Sequence, residues 1–164
     1  FDSARSAALY RPPLSLLLHR LKYQADTTVR RALFELLEAG VDIGRTIEAD
    51  LVVPVPLHRK RLKQRGVNQS LEIARVAFPH LRKKIVPNLL IRVKNTKPQT
   101  ELDGIARRSN LEGAFRVRDG KMVNGKKVIL IDDVFTTGTT ISECSKTLKK
   151  AGATKVYAWT VARA

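Results

Sequence analysis

The segment Val128-Ile129-Leu130-Ile131-Asp132-Asp133-Val134-Phe135-Thr136-Thr137-Gly138-Thr139-Thr140 constrains this chain more than any other. An unbroken run of branched aliphatic residues makes a strand covered on both faces, as in a parallel sheet flanked by helices. The run ends in two adjacent carboxylates, and carboxylates buried without partners are costly, so a ligand is expected beside them. A hydroxyl-rich turn with one glycine comes next, and then a helix. Glycine lets backbone approach a phosphate closely, and a helix N-terminus offers it unsatisfied N–H groups. Acids at the carboxyl end of such a strand are placed to accept hydrogen bonds from sugar hydroxyls. The segment reads as a cradle for a phosphorylated sugar. It is not a Walker loop, because the Gly-Lys-Ser/Thr ending is absent.

The rest of the chain supplies the alternation of helix and strand that a parallel sheet needs. Leu14, Leu17, Leu18 and Leu21 recur with helical period after Pro12-Pro13, and Val29, Leu33, Leu36 and Leu37 continue it toward Gly40, so the first third reads as helical. Leu51 to Pro56 reads as a buried strand closed by proline. Leu71, Ala74, Phe78 and Leu81 mark one face of a helix, and Leu89 to Val93 a second strand. Residues 94–114 read as a long polar loop, and long loops in compact domains often serve as lids. Phe115 to Val117 is a short strand and Asn124-Gly125 a tight turn. Ile141, Cys144, Leu148 and Ala151 line the inner face of the helix after the cradle, and Lys155 to Val161 is the last strand. The expected division is a helical segment over 1–50 and an α/β core over 51–164, in one compact domain.

The cradle resembles the phosphoribosyl pyrophosphate (PRPP) signature of type I phosphoribosyltransferases. That resemblance implies their fold, a mainly parallel sheet flanked by helices, with residues 1–50 as a helical hood. It implies that Asp132 and Asp133 hold the ribose 2′- and 3′-hydroxyls, and that Thr136, Thr137, Gly138, Thr139 and Thr140 hold the 5′-phosphate. Mg²⁺ would bridge pyrophosphate and ribose oxygens near Asp132 or Asp133. The turn of Val55, Pro56 and Leu57 would bind pyrophosphate through backbone N–H groups, with Lys60 and Arg61 adding charge. Taken alone, Arg59 to Arg65 reads as a solvated basic turn.

Shorter runs narrow the resemblance. Pro54-Val55-Pro56-Leu57-His58 precedes Arg61 and Arg65-Gly66-Val67-Asn68-Gln69, then Arg92, Thr96, Gln99, Leu102, Arg107, Asn110 and Gly113-Ala114-Phe115. With Leu21-Lys22-Tyr23 and Ala162-Arg163 this set resembles the ComF family, phosphoribosyltransferase-like proteins linked to natural competence. Arg92 would be catalytic beside the two aspartates. Arg65, Asn68, Gln69, Lys94, Gln99, Arg107 and Asn110 would serve a mobile cover or a second substrate, where cations stabilise departing pyrophosphate. Members of that family usually carry a four-cysteine zinc module ahead of the helical segment. These residues do not include it, since Cys144 is the single cysteine, and Phe1 stands about where such a module would end.

Two functions remain open. One is an enzyme that transfers the phosphoribosyl group to an acceptor seated in the hood. Thr136 stands where the 6-oxopurine-salvage branch carries an aspartate, which argues against that branch. The other is a PRPP-sensing protein that binds single-stranded DNA. Charge bears on the choice: of a net +16, residues 51–127 carry nineteen Lys/Arg against five Asp/Glu. Fourteen excess charges exceed what one small anion needs, and they fit either a polyanionic partner or a solvated basic surface that aids solubility. The resemblance implies handling of transforming single-stranded DNA, with other competence proteins, at the cytoplasmic face of the inner membrane. No apolar run approaches the ~20 residues that span a bilayer, and a cytoplasmic setting is expected. His19, His58 and His80 lack metal-ligand spacing, Cys144 and Trp159 read as core, and no aromatic platform for stacking bases is visible.

Overall fold

The structure, a computed structural model, describes residues 1–23, 27–40, 47–95 and 110–164. Its main sheet has four parallel strands in the order β1-β6-β5-β2. These are β1 (Ser3–Leu9), β2 (Leu51–Pro54), β5 (Lys127–Phe135) and β6 (Lys155–Arg163). The central pair is apolar on both faces, as a parallel strand with two covered faces must be. Ile129, Ile131, Trp159 and Val161 pack against helices α1 (Leu14–Tyr23), α2 (Thr27–Gly40) and α4 (Gln69–Ala77). Val128, Leu130, Val156 and Ala158 pack against helix α6 (Thr139–Lys150) and a separate hairpin. That hairpin pairs β3 (Leu90–Arg92) antiparallel with β4 (Phe115–Val117). Trp159 is fully buried, with the Phe78 ring edge-on at 5.4 Å.

Three expectations change in detail. Ser3–Leu9 is not helical but the edge strand of the main sheet, in register with β6. Its sequence is poor in β-branched residues, and pairing decides its state, including a Ser6–Thr160 hydroxyl contact of 2.7 Å. Arg59–Arg65 is a helix, α3, rather than a turn; the His58 ring accepts from Lys60 N–H at its start, and Gly66 closes it at φ 75°. The helix expected to carry Leu71 through Leu81 stops at Ala77, because Pro79 cannot continue it. Phe78 and Leu81 still reach the core through a 3-10 turn over Pro79–Lys84. A short helix, α5 (Gly120–Val123), precedes the Asn124-Gly125 turn. No helix among the described residues is long and apolar enough to cross a membrane.

This topology positions the site. In parallel strands all carboxyl ends lie on one edge, so the turn after β2 and the acids of β5 are neighbours. Val53 pairs with Leu130 and Pro54 with Ile131, and Val55 N–H donates to Ile131 O at 2.8 Å.

Candidate functional site

Asp132 and Asp133 lie in the last turn of strand before the hydroxyl-rich loop, and both are half-buried rather than sealed in the core. Asp132 Oδ1 accepts from the Ser70 hydroxyl at 3.1 Å and from Asp133 N–H at 2.9 Å. Asp133 Oδ1 accepts from Val134 N–H at 2.8 Å. Consecutive strand residues point to opposite faces. The two acids therefore suit a ligand that meets them at separate points.

The loop beyond them turns on Gly138, whose φ of 71° and ψ of 4° lie in the left-handed region. The conformation favours glycine, and a Cβ there would stand 2.8 Å from the tip of the Phe135 ring, which would have to move. Thr136 and Thr137 are exposed, Gly138 and Thr139 buried, and Thr140 half-buried. Thr137 and Thr139 share a hydroxyl contact of 2.9 Å, and α6 begins at Thr139. Exposed hydroxyls, a glycine turn and the N-terminus of a twelve-residue helix are together groups of the kind that suit a phosphate.

On the facing side Val55 and Pro56 are buried, Leu57 half-buried and Lys60 exposed. Asn68 Nδ2 donates to Val55 O at 3.1 Å while its Oδ1 accepts from Ser70 N–H, capping α4. Arg92, on β3, brings its guanidinium over the Phe115 ring at 5.5 Å. Burial and then the nearby Arg61 pull the Arg92 pKa below its ordinary value, with Cys144 and Asp132 acting the other way. Two cations held close enough to repel, beside a carboxylate, form an electrostatic setting suited to an anion. Complete burial of Cys144 itself, and then Asp132, pushes its thiol well up, which makes it an inert core group.

The remaining candidates have other placements. The Gln69 amide is buried and donates to Leu21 O of α1 at 3.2 Å. Lys94 Nζ donates to Glu112 O at 2.7 Å, joining the two described ends of the long polar segment. Arg65 and Asn110 are half-buried. Gln99 and Arg107 lie outside the described residues. Ser70 is a site residue that sequence reasoning passed over. A serine at a helix start reads as a capping residue, and nothing local shows it reaching a carboxylate 62 positions away.

A second feature adjoins the site. Between α3 and the outer face of the hairpin runs a cleft of about 440 Å³. Arg59, Arg92, Arg116 and Arg118 line it, over aliphatic side chains that include Leu62 and Val93.

Residues 36–164 match the phosphoribosyl transferase domain family. Competence protein F of Haemophilus influenzae is 38% identical over 160 residues, which span 94% of this chain and 70% of that protein. The chain belongs to the ComF family. The DNA utilization protein YhgH of Escherichia coli K12 is 34% identical over 96% of the chain and 70% of its own length. Competence protein ComFC of Streptococcus pneumoniae is 28% identical over 98% of the chain and 68% of its own length. A solved structure, the allosteric regulatory enzyme of purine biosynthesis, superposes on 86% of the chain and 29% of that enzyme, with a TM-score of 0.53 at 21% identity. That likeness shows the fold: this ComF-family chain has the type I phosphoribosyltransferase architecture.

Proposed function

We propose that this ComF-family domain binds PRPP with Mg²⁺ and transfers its phosphoribosyl group, in the service of DNA uptake or utilisation. The observation that carries this reading is the convergence, on one sheet edge, of the Asp132-Asp133 pair, the Gly138 phosphate turn and the Val55 turn. Thr136 to Thr140 hold the 5′-phosphate, Asp132 and Asp133 the ribose hydroxyls, and the Leu57 N–H beside Lys60 and Arg61 the pyrophosphate, since Pro56 has no N–H and that of Val55 is bonded to Ile131 O. Attack by an acceptor forms a bond to C1 as the bond from C1 to the pyrophosphate oxygen breaks. Negative charge grows on the departing group, and Lys60, Arg61 and Arg92 stabilise it there.

Among the described residues no cluster of three or more His, Cys, Asp or Glu could hold a metal by itself. Two carboxylates fit Mg²⁺ nevertheless, since that ion commonly takes one or two acids plus substrate phosphates. Asp132 or Asp133, which point to opposite faces, would hold it together with the substrate's phosphates, and it would offset the pyrophosphate charge. Names among the relatives, competence protein and DNA utilization protein, support the link to DNA. A cytoplasmic setting goes with this reading. PRPP with Mg²⁺ at a hundred times its Kd is expected to stabilise the fold by ~2.7 kcal/mol, raising Tm by roughly 5–10 °C. An unchanged Tm at millimolar ligand would count against the reading.

The arginine-lined cleft favours a second activity beside the first, binding of single-stranded DNA. Its cations suit phosphates and its aliphatic floor suits the sugar–base side of an unpaired strand. Affinity would then fall steeply with salt. Replacing Arg59, Arg116 and Arg118 by alanine is expected to weaken binding of an oligothymidylate about tenfold or more and to flatten the salt slope by about two to three. The PRPP-induced rise in Tm should persist in that variant. Equal DNA affinity in variant and wild type would remove the cleft from consideration.

A further inference from the structure

Three consecutive side chains at the start of α4 reach three separate parts of the site. Asn68 Nδ2 donates to Val55 O, in the turn assigned to pyrophosphate, at 3.1 Å. Gln69 Nε2 donates to Leu21 O, in the last turn of α1, at 3.2 Å. The Ser70 hydroxyl donates to Asp132 Oδ1, in the ribose-binding strand, at 3.1 Å. Gln69 and Ser70 are 4% and 5% exposed, so neither side chain is free to swing toward solvent or to meet a ligand directly. The spans are long, 13, 48 and 62 positions along the chain.

We propose that Asn68, Gln69 and Ser70 act as one positioning clamp for the PRPP site, with Ser70 the residue that sets the Asp132 carboxylate. This inference rests on the PRPP reading given above. Ser70 Oγ and Asp133 N–H both donate to the same oxygen, Oδ1. Two donors on one oxygen fix the rotation of the carboxylate, so its second oxygen keeps one direction. A group whose orientation is fixed beforehand binds without paying that ordering cost on contact. Asn68 does the corresponding work for the pyrophosphate turn. Its Nδ2 holds Val55 O while its Oδ1 caps the helix, which ties the turn to α4 itself. Gln69 gives α1 a partner for Leu21 O, one of the last carbonyls of that helix, which have no partner further along it. The hood helix, the pyrophosphate turn and the ribose acid are thereby referenced to a single rigid element.

The clamp makes a prediction that a generally stabilising residue would not. Ser70→Ala should weaken PRPP and ribose 5-phosphate about tenfold, while pyrophosphate titrated without Mg²⁺ binds as in wild type. Asn68→Ala should show the reverse pattern, losing pyrophosphate affinity and keeping most of that for ribose 5-phosphate. Ser70→Thr, which keeps the hydroxyl, should restore ribose 5-phosphate binding toward wild type. Calorimetric titration of the three ligands into wild type and these variants reads all of this, with circular dichroism melts run alongside. Parallel losses for both fragments in each variant would overturn the clamp and leave only a structural role. Wild-type PRPP binding with an unchanged Ser70→Ala would overturn the clamp alone. A wild-type protein that takes up no PRPP would overturn the clamp and the PRPP reading together.

Discussion

Replacing Asp132 and Asp133 together by asparagine is expected to weaken PRPP binding more than about a hundredfold while leaving the fold intact. Each acid is assigned a charge-assisted hydrogen bond to the ribose, worth roughly 1.5–3 kcal/mol, and every 1.4 kcal/mol is about tenfold in affinity. Asparagine keeps the shape and retains an oxygen that can accept from Ser70, so the strand and its neighbours should stay in place. Both acids are half-buried in a chain of net charge +16, and removing their charge leaves the hydrophobic core untouched. The nearest cost is a less balanced setting for Arg92, which senses Asp132 and Arg61 in opposite directions. Calorimetric titration of PRPP checks the affinity, and a thermal melt checks that Tm moves by no more than a few degrees. Retained affinity would remove these acids from the site.

Gly138→Val carries the second large effect, on stability and binding at once. Gly138 sits at φ 71°, where a β-branched residue is a true outlier. Its Cβ would also be 2.8 Å from the Phe135 ring. Strain of this kind costs roughly 1–3 kcal/mol, so Tm should fall by several degrees. If the loop relaxes instead, its N–H groups leave the arrangement that cradles a phosphate, and PRPP affinity should drop more than about tenfold. Shortening the ring with Phe135→Ala should recover part of the stability by removing the clash, while the φ strain remains. A thermal melt and a PRPP titration of the single and double variants separate the two contributions. Wild-type affinity in Gly138→Val would show that this turn does not touch the ligand.

The strand, turn and helix start around Asp132 to Thr140 are legible because the signal is local. One strand, two acids, a glycine turn and a helix start are contiguous in sequence, and the sheet places them as they read. The apolar face of α6 was equally plain, with Ile141, Cys144 and Leu148 at helical spacing and all buried. Non-local pairing set the limits. Ser3–Leu9 carries no strand signature and is a strand only because β6 offers it a partner more than 150 positions away. Leu89 to Val93 reads as a strand, yet its antiparallel partner lies across the long polar segment, which puts it in a separate hairpin and sets Arg92 over the Phe115 ring. Asn68 and Gln69 stood out as polar residues opening a helix and were read toward ligand. In the fold each donates its amide to a backbone carbonyl, a role that only the packing of α4 against α1 and β2 reveals. The polar cover remains an expectation at Gln99 and Arg107, which lie outside the described residues.

The central claim is that this sheet edge is a magnesium-dependent PRPP site. Calorimetric titration of PRPP into the wild-type protein, with Mg²⁺ and then with the ion chelated, tests it most directly. The account predicts one site per chain, saturable with Mg²⁺ and much weaker without it. No heat of binding in either condition, with the protein shown to be folded, would contradict it.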